Sequence, residues 1–286
     1  MHGRLRPHLG WMFVFLVSAV SGCANSVAGT SQPPCSHFDP DTAGAINGRV
    51  IWSGDAPAAE PFSYRFDPGL GDDAATLALR RNCYLPAISP HSRGVRDAVV
   101  FLQGVDPQRA RPWDHKPVRV EQRDLQMHVI QGECDSRVGF VRRGDTIEMV
   151  SCDSRFHALH ASGAAWFTLA FSDPYQPLSR PMKQNGVVEL TSGAGHYWMR
   201  AFVFVDQHPY YTRTDENGRF ELKQVSPGRY HLVSWLPDWR EAGHDRDPDT
   251  GLVTRLRFGA PLVAEQSVEM AAHQSVDIEI DLGVHP

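Results

Sequence analysis

The sequence predicts an all-β chain made of two β-sandwiches, and three observations carry that prediction. Apolar runs are short, about four to eight residues, and breaks of Gly, Pro, Asp and Ser separate them, as strands require. Asn217-Gly218 stands in a polar turn that leads into a strand pattern, the pair most favoured in tight hairpins. The chain closes on Val276 to Leu282, where apolar and acidic residues alternate with the period of a half-buried strand.

The elements follow in order. Arg4 and Arg6 precede an apolar stretch, Trp11 to Val20, that is too short to span a bilayer as a helix, so residues 1–22 read as a signal peptide. Val20-Ser21-Gly22-Cys23 places small residues before a cysteine and resembles a bacterial lipobox, which would make Cys23 the acylated first residue of a lipoprotein. An ordinary cleavage site with an incidental cysteine is the other reading. With no Asp after Cys23, the lipoprotein sorting rule points to the outer membrane. The expected place is the periplasmic side of the cell envelope, with acyl chains in the outer-membrane leaflet as anchor. Cleavage removes two arginines and no acid, moving the formal charge from −5 to −7, which disfavours nucleic acid as a partner.

Residues 23–45 are rich in Ala, Ser, Thr, Pro and Asp and read as a flexible tether. Strand patterns begin at Ile46 to Trp52, and Asp72 to Arg81 reads as one short helix capped by Asp72 or Asp73. Further strands are expected at Ala98 to Leu102, Gln126 to Ile130, Val138 to Val141, Thr146 to Val150, Trp166 to Phe171, Val187 to Leu190 and His196 to Val205. Cys35, Cys83, Cys134 and Cys152 remain after cleavage, without CxxC spacing, so one or two disulfides are open among three connectivities.

The last third resembles the carboxypeptidase regulatory-like, or transthyretin-like, module. The likeness rests on the turn Thr214-Asp215-Glu216-Asn217-Gly218-Arg219-Phe220, the turn Val225-Ser226-Pro227-Gly228-Arg229-Tyr230 and the closing alternating strand. The two strands that open such a module have counterparts far upstream, at Gly48-Arg49-Val50 and Asp97 to Leu102. The reading is therefore one discontinuous sandwich over 46–109 and 208–286, with a second domain inserted at 110–207. Two sequential domains, the other reading, would leave the N-terminal strands without partners, whereas insertion at a loop tip is well tolerated.

The insert resembles a cupredoxin. One piece is Gly144 to His157, similar to the run that brings the first copper histidine in that fold; the other is His196-Tyr197-Trp198-Met199. The order of the pieces resembles bacterial periplasmic proteins described as methylamine-utilisation-like. The resemblance places His157, His196 and Met199 on ligand positions of a copper site with Greek-key surroundings. Gly193 stands where the thiolate ligand of a blue site belongs, and Ala158 stands where an asparagine usually braces that thiolate. His160 offers a further imidazole three residues along, a step that points to the opposite face of a strand but need not in a loop. Cys152 reaches the site only if its loop folds back. The resemblance also implies a Cys83–Cys134 disulfide.

No Walker A, HExxH or G-x-S-x-G pattern occurs, and the chain reads as a binding protein rather than an enzyme. The expected activity is copper binding at a non-blue histidine and methionine site, with a periplasmic protein as partner. The alternative is a metal-free cupredoxin-like scaffold that docks on an envelope complex or glycan.

Overall fold

The computed structural model describes residues 37–59, 61–62 and 82–283. The signal peptide, Cys23, Cys35 and the helix expected over 72–81 lie outside the described residues. Within them the chain is all-β, with nineteen strands and no helix. The first strand, β1 (Gly44–Ile51), takes in the last two residues of the expected tether.

Two sheets are built from strands that flank residues 104–210. One has the order β14-β1-β19, joining β1 to β14 (Arg219–Val225) and β19 (Ser275–Asp281). The other has the order β13-β2-β15-β18, from β13 (Tyr211–Arg213), β2 (Val99–Gln103), β15 (Gly228–Leu236) and β18 (Leu262–Met270). β1 runs antiparallel to β14 and parallel to β19. Its alternation buries Ile46 and Val50 in a core shared with Leu222, Ile278 and Leu232. Gly48 is imposed by the close approach of the chains, since a Cβ there would lie 2.1 Å from the Ile278 carbonyl oxygen.

Residues between β2 and β13 form two more sheets. The order β10-β7-β3-β4-β5 takes β3 (Val118–Arg123), β4 (Gln126–Gln131), β5 (Cys134–Ser136), β7 (Thr146–Ser151) and β10 (Leu178–Pro181). The order β6-β12-β11-β8-β9 takes β6 (Val138–Arg142), β8 (His157–Gly163), β9 (Phe167–Phe171), β11 (Gly186–Ser192) and β12 (Arg200–Asp206). β12 starts at Arg200 rather than at His196, because His196 to Met199 is a turn in which the Met199 N–H bonds back to the His196 carbonyl. A further hairpin, β16 (Glu241–Arg246) and β17 (Val253–Phe258), projects from between β15 and β18.

Four strands are apolar on both faces, and the packing explains why. Val100 and Leu102 of β2 and Leu232 and Leu236 of β15 point into one core. Their neighbours Val99, Phe101, Val233 and Trp235 point the other way. There they meet Val138 and Phe140 of β6, Phe202 and Phe204 of β12, and Tyr211. Phe101 stacks on Tyr211 at 5.1 Å between centroids, and Trp235 presents an edge to Phe202 and Phe204. Full burial of each such ring contributes about 1.5–3 kcal/mol. The strands that lead into and out of this region are also tied together: Arg111 N–H donates to the Tyr210 hydroxyl, and His115 Nε2 donates to the Pro209 carbonyl.

The Cys83–Cys134 disulfide is not formed. Cys83, Cys134 and Cys152 are free thiols, the first two exposed. The Arg137 guanidinium lies against the Cys83 carbonyl and over the Tyr84 ring, and Cys134 stands on the short edge strand β5.

Treating 46–109 and 208–286 as one folding unit has a direct consequence. Excision of residues 110–207 with a short linker should leave a chain that unfolds cooperatively by circular dichroism. It should stay soluble only once Phe101 and Trp235, bared by the excision, are replaced by threonine. A non-cooperative, unfolded product with both replacements in place would contradict it.

Candidate metal centre

The site begins with a strained turn. β3 and β4 pair in register from Arg123 and Gln126, leaving a two-residue loop, Asp124-Leu125. Both residues have positive φ, 53° and 55°, the type I′ geometry that suits hairpin twist but costs a branched residue such as leucine. The Asp153 carboxylate offsets that cost. It accepts the Asp124 N–H at 2.8 Å and the Leu125 N–H at 3.1 Å. Its Oδ2 also accepts from His157 Nε2 at 2.8 Å.

His157, the first residue of β8, is fully buried. A carboxylate only accepts at this contact, so the ring proton is held on Nε2 and the lone pair on Nδ1. That Nδ1 is buried with no hydrogen-bond partner. Leaving such an atom unsatisfied costs about 1–3 kcal/mol. A histidine whose other nitrogen is fixed by a carboxylate, with its free lone pair turned inward, is the arrangement found at metal ligands.

His196 lies beside it, with ring centroids 4.9 Å apart and planes tilted by 46°. Its loop is shaped by the Ser192 hydroxyl, which accepts the Ala194 and His196 N–H groups at 3.1 and 3.3 Å. Gly195, at φ +81°, supplies the left-handed step. The Trp198 ring stands edge-on to His196 at 5.5 Å, and its indole N–H donates to the Leu125 carbonyl at 2.8 Å. The Trp198 carbonyl accepts from the buried Tyr84 hydroxyl. One turn, Asp124-Leu125, thus holds both histidine segments.

The remaining candidates separate. Met199 is 1% exposed, within the apolar core and one turn beyond His196. His160 does not join His157. β8 is regular through both positions, so His157, Leu159 and Ala161 point into the core and His160 points to the other face. There it shares a 3.0 Å hydrogen bond with the Thr168 hydroxyl and lies 6.2 Å from the exposed Trp166 ring. Cys152 is bonded through its N–H to the Gln122 carbonyl and sits beside Glu121, Arg119 and Arg123 on the outer face of its sheet. Burial and the Glu121 charge push its thiol up, away from the thiolate that binds metal.

Position 193 is closed as well as empty of sulfur. The Gly193 N–H donates to the Ala158 carbonyl at 2.8 Å, and a Cβ at 193 would lie 3.2 Å from the Ala158 Cβ. Gln122, inward-facing and fully buried on β3, reaches the same Ala158 carbonyl through Nε2 at 3.4 Å. Among the described residues no group of three or more His, Cys, Asp or Glu side chains comes together as a metal cage. An open cleft of about 900 Å³ borders the site, lined by Gly193, His196, Phe156, His160 and by Asp245 and Asp247 of the β16–β17 hairpin.

Of the residues expected at a copper site, the structure brings His157 and His196 together; Asp153, Gln122 and the Asp124-Leu125 turn beside them were not among those expected. Asp153 was legible in the Asp-x-x-x-His spacing; a Leu in a tight turn and a Gln at the end of an apolar row carry no such signal.

Comparison with known proteins gives three findings. The family model of polysaccharide lyase family 4, domain II, a fibronectin III-like unit, matches residues 180–246; it is not the carboxypeptidase regulatory-like module that the turns resemble. No curated protein matches the chain. Among solved structures, a mutant of amicyanin in the Cu(I) state is similar at 17% identity and TM-score 0.25, over 31% of this chain and 81% of that one. A copper-containing nitrite reductase from Thermus scotoductus SA-01 is similar at 16% identity and TM-score 0.26, over 34% of this chain and 24% of that one.

Proposed function

We propose that the 110–207 region binds copper at a histidine-dominated, non-blue site, holding it through His157 Nδ1 and His196 with Met199 as a thioether neighbour. The observation that carries this reading is the buried, unpartnered Nδ1 of His157, fixed in its lone-pair form by Asp153, on a ring that lies beside a second imidazole. Two imidazoles and a thioether suit copper better than hard cations. Bound copper would supply an exchangeable soft cation. The chain's own part is to hold both rings, exclude water from His157 and keep its proton on Nε2. With Cys23 acylated, such a site would serve copper capture or handover on the periplasmic side of the outer membrane. The cleft beside His196 supports a route for exchange. A metal-free docking module is the competing reading, and the exposed Phe156, Trp166 and Tyr175 favour it.

Purified protein should take up one copper without an intense absorption band near about 600 nm, since that colour needs a short copper–thiolate bond. Asp153→Asn should weaken copper binding about 10–100-fold, the usual effect of losing a carboxylate behind a ligand histidine. Copper should be released on acidification, because protonated imidazole has no lone pair to donate. Unaltered affinity in both Asp153→Asn and His157→Ala would favour the metal-free module.

Gly193→Cys, combined with Ala158→Gly to relieve the 3.2 Å contact, should turn the copper-loaded protein coloured. A colourless product that still binds copper would show that position 193 does not face the metal.

A further inference from the structure

We propose that Gln122 supplies a third donor to this copper site through its side-chain carbonyl oxygen, a role that rests on the copper reading above. Val118, Val120 and Gln122 form the inward row of β3, and the first two are ordinary core residues. Gln122 ends that row fully buried, where the two residues before it are apolar.

Its amide is anchored at one end only. Nε2 donates across the interior to the Ala158 carbonyl on β8, which also accepts the Gly193 N–H. The amide head is therefore held between the strand that begins with His157 and the loop that lacks a thiolate. That donor contact fixes which amide atom is which, and it leaves Oε1 buried with no hydrogen-bond partner. Two orphaned lone pairs, Gln122 Oε1 and His157 Nδ1, thus occur on segments joined through Ala158, at one end of the core. Buried polar side chains are nearly always satisfied, and a shared cation satisfies both atoms.

The oxygen donor also decides the oxidation state. A neutral carbonyl is harder than thiolate, so two imidazoles with an amide oxygen favour Cu(II), whereas imidazoles with thioether alone favour Cu(I).

The test compares full-length wild type, Gln122→Leu and Gln122→Glu. The readouts are Cu(II) and Cu(I) competition titrations, electron paramagnetic resonance of the Cu(II) form, and melting of the metal-free protein. Gln122→Leu should lose Cu(II) affinity about tenfold or more, alter the copper hyperfine coupling and leave Cu(I) affinity within about threefold. Its metal-free melting temperature should stay level or rise, because an unsatisfied oxygen has gone. Gln122→Glu, which keeps an oxygen, should retain Cu(II).

Wild-type Cu(II) affinity and spectrum in Gln122→Leu, with loss in His157→Ala, would overturn this inference alone. No copper binding by wild type would overturn the copper reading with it. A Gln122→Leu protein that melts lower or fails to fold, with Gln122→Glu losing Cu(II) equally, would make Gln122 a structural tie and overturn the inference.

Discussion

The Asp153 carboxylate is the constraint on which the candidate site depends. It accepts two backbone N–H groups from a hairpin turn whose φ angles leucine resists, and it fixes the proton of a buried histidine. Each task supports the other. Without the carboxylate the Asp124-Leu125 turn loses the bonds that offset its strain, and His157 loses the group that sets its tautomer. The same turn receives the Trp198 indole, so the position of His196 depends on it as well. A charge-assisted contact of this kind, at 16% side-chain exposure for Asp153, is worth more than a surface pair because little water competes for it.

A second constraint acts at the level of the whole fold. β2, β6, β12 and β15 are buried on both faces, one against their own core and one against an aromatic layer that joins the two pairs of sheets. That layer fixes the sheet carrying His157 and the Ser192–Met199 loop relative to the strands that precede and follow it. Arg200, directly after Met199, adds to this. It pairs with Glu189, donates to the Asp238 carbonyl and lies over the Phe258 ring of the β16–β17 hairpin. The Ser192–Met199 loop is thereby gripped at both ends, by Ser192 and by Arg200.

Much of the fold was legible because its signals are local. Alternation in Val276 to Leu282 reports a strand without reference to the rest of the chain, whereas the Asn217-Gly218 turn reports only the strand that follows it: β13 and β14 lie in different sheets and form no hairpin. Continuous apolar runs such as Arg200 to Val205 gave strands but not the reason for their double-sided burial, which depends on a partner sheet distant in sequence. β3 was missed because Val118 to Arg123 offers only two apolar residues, Val118 and Val120, before its inward row continues in a buried Gln122. In the site, the resemblance to cupredoxin runs pointed to His157 and His196, whose rings the structure brings side by side. His160 does not accompany them because a regular strand sends it to the opposite face, and Cys83 and Cys134 stay free thiols. Whether residues 157–160 run as strand or loop decides the first outcome, and spacing alone does not encode it.

The most direct test of the central claim is the tautomer of His157, read by nitrogen-15 NMR of labelled imidazole rings in the metal-free protein and after addition of Cu(I). The structure requires a proton on Nε2, facing Asp153, and an Nδ1 whose resonance moves strongly on adding Cu(I). A ring protonated on Nδ1, or an Nδ1 resonance that Cu(I) leaves in place, would contradict the account.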